Sequence, residues 1–222
     1  MNNIKIDGFG KVNEGQYDSI SISGSGKLCG DIQCKQLNVE GSGKSEGNLT
    51  CDTIVVSGVM KNEGNLNVKE ANIEGVCNCE GNLKAERIVI DGAIKSEGYL
   101  NAEYLEVNGA LKNDTEINVD HMIVDGKVKA VDIVGRKIEM NSNKIFRGFF
   151  SSISHFENQV NTITCDEIIA SSLKCDKISC DHIVLKHGCK IDVVECYGTL
   201  SYDSTCNVRS VQGTCVVNGS TR

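Results

Sequence analysis

The chain has 222 residues and a net charge of −7, contains neither proline nor tryptophan, and is only 5% aromatic. The acidic charge argues against a surface that binds duplex nucleic acid, because such a surface needs clustered Lys and Arg to neutralise phosphates. Gly, Val and Ile are abundant, which suits short strands and tight corners rather than a long helical bundle or a disordered chain. We therefore expect an ordered, strand-rich protein without a nucleic-acid partner.

The amino-terminal sequence and the cysteine content bear on the compartment. The start, MNNIKIDG, lacks the apolar core of a secretory signal, and no apolar run approaches the length of a membrane span. Twelve cysteines in a chain without an export signal are expected to be reduced thiols rather than a disulfide framework. We expect a cytoplasmic protein.

A seventeen-residue repeat organises the chain from Gly24 to about Ala130. Counted from the first glycine of each unit, apolar residues pair at offsets eight and ten and again at thirteen and fifteen. A spacing of two is the strand period that places both side chains on one face. A third pair, at offsets two and four, is predicted to be weak, because Asn62 follows Met60 there. The first glycines of the units are Gly24, Gly41, Gly58, Gly75, Gly92, Gly109 and Gly126.

Three short strands per repeat predict an all-β fold, a parallel β-helix solenoid with triangular coils of about 17 residues. Neighbouring coils would lie about 4.8 Å apart, so equivalent residues are expected to stack in ladders. No coil can bury its inward face alone, and stability is expected to come from stacking. We assign residues 1–130 to this segment, with a first coil one residue shorter. The ladder at offset ten consists of small side chains: Cys34, Cys51, Val68, Ala85, Ala102 and Val119.

Two outward columns carry charge at constant offsets. Lys recurs at one offset, broken by Asn78, and Glu or Asp recurs two residues later. Columns of opposite sign relieve the repulsion between stacked like charges. We interpret this face as a solvated surface with paired charges rather than a row of catalytic carboxylates.

The seventeen-residue rhythm fades after Ala130. Residues 131–162 are expected to form an irregular junction that contains four of the five phenylalanines, among them Phe146, Phe149 and Phe150. From Ile163 a period of five predicts a second, narrower β-helical segment over residues 163–222, with coils of about fifteen residues. In such coils Cys165 would stack on Cys180, with Cys196 next.

Candidate contact residues lie in the junction and at the two ends. The Phe cluster could dock on a membrane surface or a partner, or it could fill the junction between two coil types. At the ends, Ile4 and Ile6 begin the pattern at once and Val216 lies near the carboxyl terminus. Open strand edges there would template further strands, which predicts self-association.

No catalytic residue, cofactor site or metal site is predicted. Cys77 with Cys79, and the group of cysteines and histidines that follows Cys175, lack the Cys-x2-Cys spacing of structural zinc sites. Most cysteines fall in inward columns, where a free thiol acts as a small apolar side chain. The four histidines share no offset, and the hexapeptide rhythm of β-helical acyltransferases would give coils of eighteen residues.

The glycine, aliphatic and Val/Ile columns of residues 1–130 resemble those of the bactofilins, the bacterial polymer-forming cytoskeletal family. The resemblance implies a right-handed β-helix that assembles end to end into non-polar filaments without nucleotide. It also implies a non-enzymatic scaffold, often at the membrane surface, that organises cell-envelope or cell-shape proteins. Two alternatives stay open: a monomeric, acidic β-helical binding module that mimics nucleic acid, and, less favoured, a β-helical acyltransferase.

Overall fold

A computed structural model describes residues 2–141 and 158–218 of the protein. In these ranges the chain forms parallel strands and no helix, wound into a β-solenoid of about 12 turns with a spacing of about 17 residues. The predicted fold class is thereby confirmed. The strands are β1 (Asn3–Ile6), β2 (Phe9–Val12), β3 (Gly15–Ile22), β4 (Ser25–Leu28), β5 (Ile32–Val39), β6 (Ser42–Ser45), β7 (Leu49–Val56), β8 (Val59–Asn62), β9 (Leu66–Ile73), β10 (Val76–Cys79), β11 (Leu83–Ile90), β12 (Ala93–Ser96), β13 (Leu100–Val107), β14 (Ala110–Asn113), β15 (Glu116–Val124), β16 (Lys127–Met140), β17 (Asn158–Ala170), β18 (Leu173–Leu185), β19 (Lys190–Tyr202), β20 (Asn207–Gln212) and β21 (Val216–Asn218).

Each regular coil consists of one four-residue strand and one eight-residue strand. The eight-residue strand β9 buries two pairs of side chains, with two adjacent outward residues, Lys69 and Glu70, between them. Two successive outward residues break the alternation of a strand, so the chain turns a corner there. Together with the pair in the four-residue strand, each coil therefore has three inward pairs, one for each side of the solenoid.

Equivalent residues of successive coils stack in register. Leu66 pairs with Leu49 on one side and with Leu83 on the other, and all three side chains are 0–1% exposed. The predicted ladders are therefore confirmed, and their side chains form one continuous core along the solenoid. Because each coil covers the inward face of the next, the core has the length of the rod rather than a single centre.

The third inward pair is fully buried, and the prediction that it would be weak was wrong. Met60 and Asn62 are both 0% exposed. Ser45 and Ser96 occupy the position of Asn62 in other coils, and the hydroxyl groups of both donate to the glycine carbonyl oxygen two residues later, at 3.4 and 3.2 Å. The Asn62 side-chain amide donates to the equivalent oxygen of Gly64. Polar side chains are tolerated inside the solenoid because they bind the backbone of an adjacent corner.

Glycine recurs at the first corner because neighbouring coils approach closely there. A Cβ atom on Gly75 would lie 2.0 Å from the carbonyl oxygen of Gly58 in the preceding coil. The same oxygen accepts a hydrogen bond from the amide of Val76 at 2.9 Å, which holds the two backbones together. The column thus reflects contact between stacked backbones.

The number of residues per coil changes in the second half while the ladders continue. Sixteen residues separate Ile117 from its partner in β16, and fifteen separate Ile163 from Ile178 in β18, as predicted for this coil. The shorter coil length is local, however. A bulge at His182 lengthens the following coil, and Lys190 pairs with Asn207, seventeen residues later in the sequence. The predicted stack of Cys165, Cys180 and Cys196 is confirmed.

Regular strands occupy both ends of residues 131–162, the segment expected to be an irregular junction. Strand β16 covers residues 127–140 and pairs directly with β17, with Met140 opposite Ala170. Residues 142–157 lie outside the described part of the chain. The proposed domain boundaries at residues 130 and 163 stay predictions.

Candidate assembly surfaces

The amino-terminal end of the solenoid presents open strand edges. Within the described residues, β1 pairs only with β3 and β2 only with β4, so one edge of each has no strand beside it. The side chains of Ile4 and Ile6 point inward, opposite Ile20 and Ile22, as expected from their positions in the pattern. Ile6 is buried and Ile4 is partly buried. The amino end therefore combines backbone groups free to pair with an inward face that is mostly covered.

Gly8 shows the openness of this end at atomic scale. In the next coil, a Cβ atom on Gly24 would lie 2.1 Å from the carbonyl oxygen of Gly8. A Cβ atom on Gly8 itself would meet nothing within 4 Å, because no described coil precedes it. A second solenoid stacked here in the same register would bring a backbone into that space.

The carboxyl-terminal end exposes the inside of the solenoid. Strands β20 and β21 pair only with β19 among the described strands. Val211 and Val217 continue the inward ladders of Val194 and Leu200, which are 0% exposed, yet they are 42% and 48% exposed themselves. An apolar ladder that ends uncovered is a surface that a further coil would bury.

Three exposed end residues, Phe9, Val211 and Val217, were not predicted as contacts, and one predicted residue, Val216, faces outward. Val216 pairs with Thr199 and is 63% exposed. Its side chain faces outward, whereas the next residue, Val217, occupies the inward position. Phe9 is the most exposed large apolar residue, at 96%, and begins the outward ladder that contains Ser25 and Val59. Its distance of sixteen residues from Ser25 would have placed Phe9 on this outward ladder from the sequence alone. The predicted contacts Phe146, Phe149 and Phe150 lie outside the described residues.

The outward Lys and Glu columns form a connected series of ion pairs, as predicted. The Nζ atom of Lys44 lies 3.3 Å from Glu46 Oε1 in its own coil and 3.0 Å from Glu63 Oε1 in the next. Lys61 repeats this arrangement with Glu63 and Glu80, at 2.9 Å to each. The ammonium groups of Lys61 and Lys44 hold the pKa of Glu63 below its usual range. The paired columns make this face locally balanced in charge.

The potential metal ligands of the described residues include all the cysteines of the chain. Nine of the twelve cysteines are buried, which confirms that most lie in inward columns. In residues 2–141 and 158–218 no group of three or more His, Cys, Asp or Glu could hold a metal ion. The same residues contain no helix with the length and hydropathy of a membrane span.

Comparison with known proteins gives a family match to part of the solenoid. No curated protein and no solved structure matches the chain significantly. Residues 3–101 match the sequence model of the bactofilins, described as polymer-forming cytoskeletal. This range runs from β1 into β13 and so covers most, but not all, of residues 1–130, from which the resemblance was drawn. Over residues 3–101 the chain therefore carries a bactofilin match, and the matched family is cytoskeletal and polymer-forming.

Proposed function

We propose that this protein is a non-enzymatic cytoskeletal scaffold whose solenoids polymerise end to end without nucleotide. The observation that carries the proposal is the pair of open ends on a rod with one continuous core. The bactofilin match over residues 3–101 supports it, because that family is polymer-forming. The scaffold would act in the cytoplasm and organise cell-envelope proteins, in some cases at the membrane surface.

The energetic case rests on what the last coil leaves uncovered. Val211 and Val217 are about half exposed, whereas their counterparts one coil earlier are fully buried. Covering an apolar side chain of this size contributes roughly 1–2 kcal/mol. The exposed edges of β20 and β21 would at the same time gain backbone hydrogen bonds. The two valines supply only part of the roughly 8 kcal/mol that association at micromolar concentration needs, and the paired strand edges would have to supply the rest.

Sedimentation velocity and negative-stain electron microscopy of the purified full chain test the proposal. We expect filaments or large assemblies without added nucleotide. Val217→Asp places a charge on the uncovered end of an inward ladder and is expected to shift the distribution toward small species. Val216→Asp is the matched control, because the neighbouring side chain faces outward. A wild-type chain that stays monomeric at 100 μM, roughly a hundred times the micromolar range, would remove the proposal.

The amino-terminal end has its own variant. Gly8→Ala adds a Cβ atom into open space in the single chain, but that atom would collide with any coil stacked on β1 and β2 in register. We expect the variant to fold normally and to lose contacts made through this end. Asn13→Ala, at an exposed position of the same coil, serves as the control. If Gly8→Ala assembles as the wild type does, the amino-terminal edge is not a stacking surface.

The binding-module alternative has less support. A nucleic-acid mimic needs a field dominated by negative charge along one face. On the face described above, Lys44 and Lys61 each lie within 3.3 Å of a carboxylate in their own coil and within 3.0 Å of one in the next. Alternating charges of this kind do not reproduce a row of phosphates.

A further inference from the structure

A groove runs along the side of the solenoid where the eight-residue strands bend. It has a volume of about 880 Å³ and is open to solvent along its length. Its floor is the ladder at offset ten. Tyr17 begins this ladder, and the side chains of the coils that follow are small. Because the floor residues are small, polar side chains on either side rise above them and form the walls. The floor contains Cys34, Cys51, Val68, Ala85 and Ala102, and the walls nearest the thiols contain Gln33, Thr50, Lys35 and Asp52.

Two thiols lie next to each other on this floor. Cys34 pairs in register with Cys51 of the next coil, and their Sγ atoms are 3.3 Å apart. Adjacent strands place paired Cα atoms about 4.8 Å apart, which lies within the range that a disulfide bridges. As whole residues, Cys34 and Cys51 retain 4–5% exposure, whereas Leu37 and Ile54 in the same strands have none. The pair is therefore close enough to be joined, and it lies in the floor of the groove.

The two thiols differ in acidity in a way that suits a sequential reaction. Because the two thiols share one hydrogen bond, ionisation of one favours the protonated form of the other, and the pKa of Cys34 is the one that is lowered. The same hydrogen bond, together with burial, raises the pKa of Cys51. A thiolate is the form that attacks an electrophile, and a neighbouring thiol can then resolve the product.

The other close thiol pairs lack this combination. Cys77 and Cys79 are 3.7 Å apart, but they lie on one strand, are 1% exposed and do not line the groove. Cys165 and Cys180 are 2.9 Å apart on the same ladder farther along, outside the groove. The hydrogen bond with Cys180 and burial raise the pKa of Cys165, in contrast to the lowered pKa of Cys34.

We propose that Cys34 and Cys51 form a redox-active dithiol that hydroperoxides oxidise to a disulfide between neighbouring coils. The Cys34 thiolate attacks one peroxide oxygen, the O–O bond breaks, and Cys34 becomes a sulfenic acid as the first water leaves. The Cys51 sulfur then attacks the Cys34 sulfur, the S–S bond forms, and the sulfenic oxygen leaves as a second water. The two thiols supply two electrons, and hydrogen peroxide is reduced to two molecules of water. The site is independent of the proposed polymerisation.

Peptide mapping of the full chain tests this site. Trypsin releases residues 28–35 and 45–61 as separate peptides, so a Cys34–Cys51 disulfide links them. Cys29 shares the first peptide, and a Cys29→Ser background removes that ambiguity. The reduced protein is treated with graded hydrogen peroxide, blocked with N-ethylmaleimide, digested without reductant and measured by mass spectrometry. We expect the linked peptides to appear at least about fivefold faster than oxidation of Cys77 and Cys79, and dithiothreitol to reverse the link.

Cys51→Ala separates the two steps. Ala85 and Ala102 occupy the same ladder, so alanine is an accepted side chain there. Without the resolving thiol, a sulfenic acid on Cys34 is expected to persist and to be trapped by dimedone. Circular dichroism establishes that the variant is folded. The proposal is overturned if Cys34 stays alkylatable in the oxidised wild type, or if folded Cys51→Ala gives no dimedone adduct at Cys34.

Discussion

Gly75→Ala is a direct test of how closely the coils are stacked. The added Cβ atom would lie 2.0 Å from the Gly58 oxygen and 2.5 Å from the Ser57 oxygen, whereas real Cβ contacts are essentially never under 3.0 Å. The corner must therefore open by roughly 1 Å. That movement strains the hydrogen bonds from the Gly75 amide to the Val56 oxygen, 2.8 Å long, and from the Val76 amide to the Gly58 oxygen, 2.9 Å long.

The expected loss of stability follows from those two hydrogen bonds. Leaving a buried donor and acceptor unsatisfied costs about 1–3 kcal/mol for each bond. Alanine restricts the unfolded chain more than glycine does, which offsets about 0.4–1 kcal/mol. The net destabilisation is about 3 kcal/mol, which for a chain of this length lowers Tm by about 6–12 °C.

Thermal and urea unfolding followed by far-UV circular dichroism measure this change, at concentrations where the chains are monomeric. Gly8→Ala is the matched control, since the same added atom meets nothing within 4 Å there. We expect the control to unfold within about 0.5 kcal/mol of the wild type. Equal unfolding of Gly75→Ala and the wild type would refute the view that the glycine column exists because backbones touch.

Three further variants or conditions probe the ladders. Leu66→Ala removes a side chain that is 1% exposed and stacked between two leucines, and we expect a loss of about 3 kcal/mol in urea unfolding. Asn78→Lys fills the break in the lysine column beside Glu80 and is expected to raise Tm by about 2 °C at low salt. This gain in Tm should disappear in 1 M NaCl, where the Debye length is about 3 Å. Because Lys61 and Lys44 lower the pKa of Glu63 from its ordinary value of 4.5, the stability that this carboxylate contributes is present above pH 4.5 and is lost as the pH falls through the lower folded value. The acid limb of a stability curve for Glu63→Gln should therefore be flatter than that of the wild type.

The inward ladders could be predicted because two regularities coincide in the sequence. A spacing of two assigns Leu66 and Val68 to one face, and a period of seventeen assigns Leu49, Leu66 and Leu83 to one column. Neither regularity depends on contacts between distant parts of the chain. A solenoid makes nearly all its contacts between adjacent coils, and the fold is therefore readable from local pattern.

Other features depended on contacts that the pattern does not contain. Asn62 was expected to weaken its pair because it is polar, but its amide binds the backbone oxygen of Gly64 inside the corner. That partner is a backbone atom, which no side-chain pattern can indicate. The sequence pattern does not distinguish Val216 from Val217, because the last coil has too few repeats to fix which residue faces inward. The end contacts therefore needed the register of the strands.

The corners of this solenoid tolerate changes of length that its sides do not. Coils of fifteen, sixteen and seventeen residues follow one another without interrupting the core. Met140 and Ala170 are thirty positions apart in the chain, about two circuits, yet they face each other across adjacent strands. Deleting a single residue at a corner of a seventeen-residue coil should accordingly leave the ladders on either side of that corner in register.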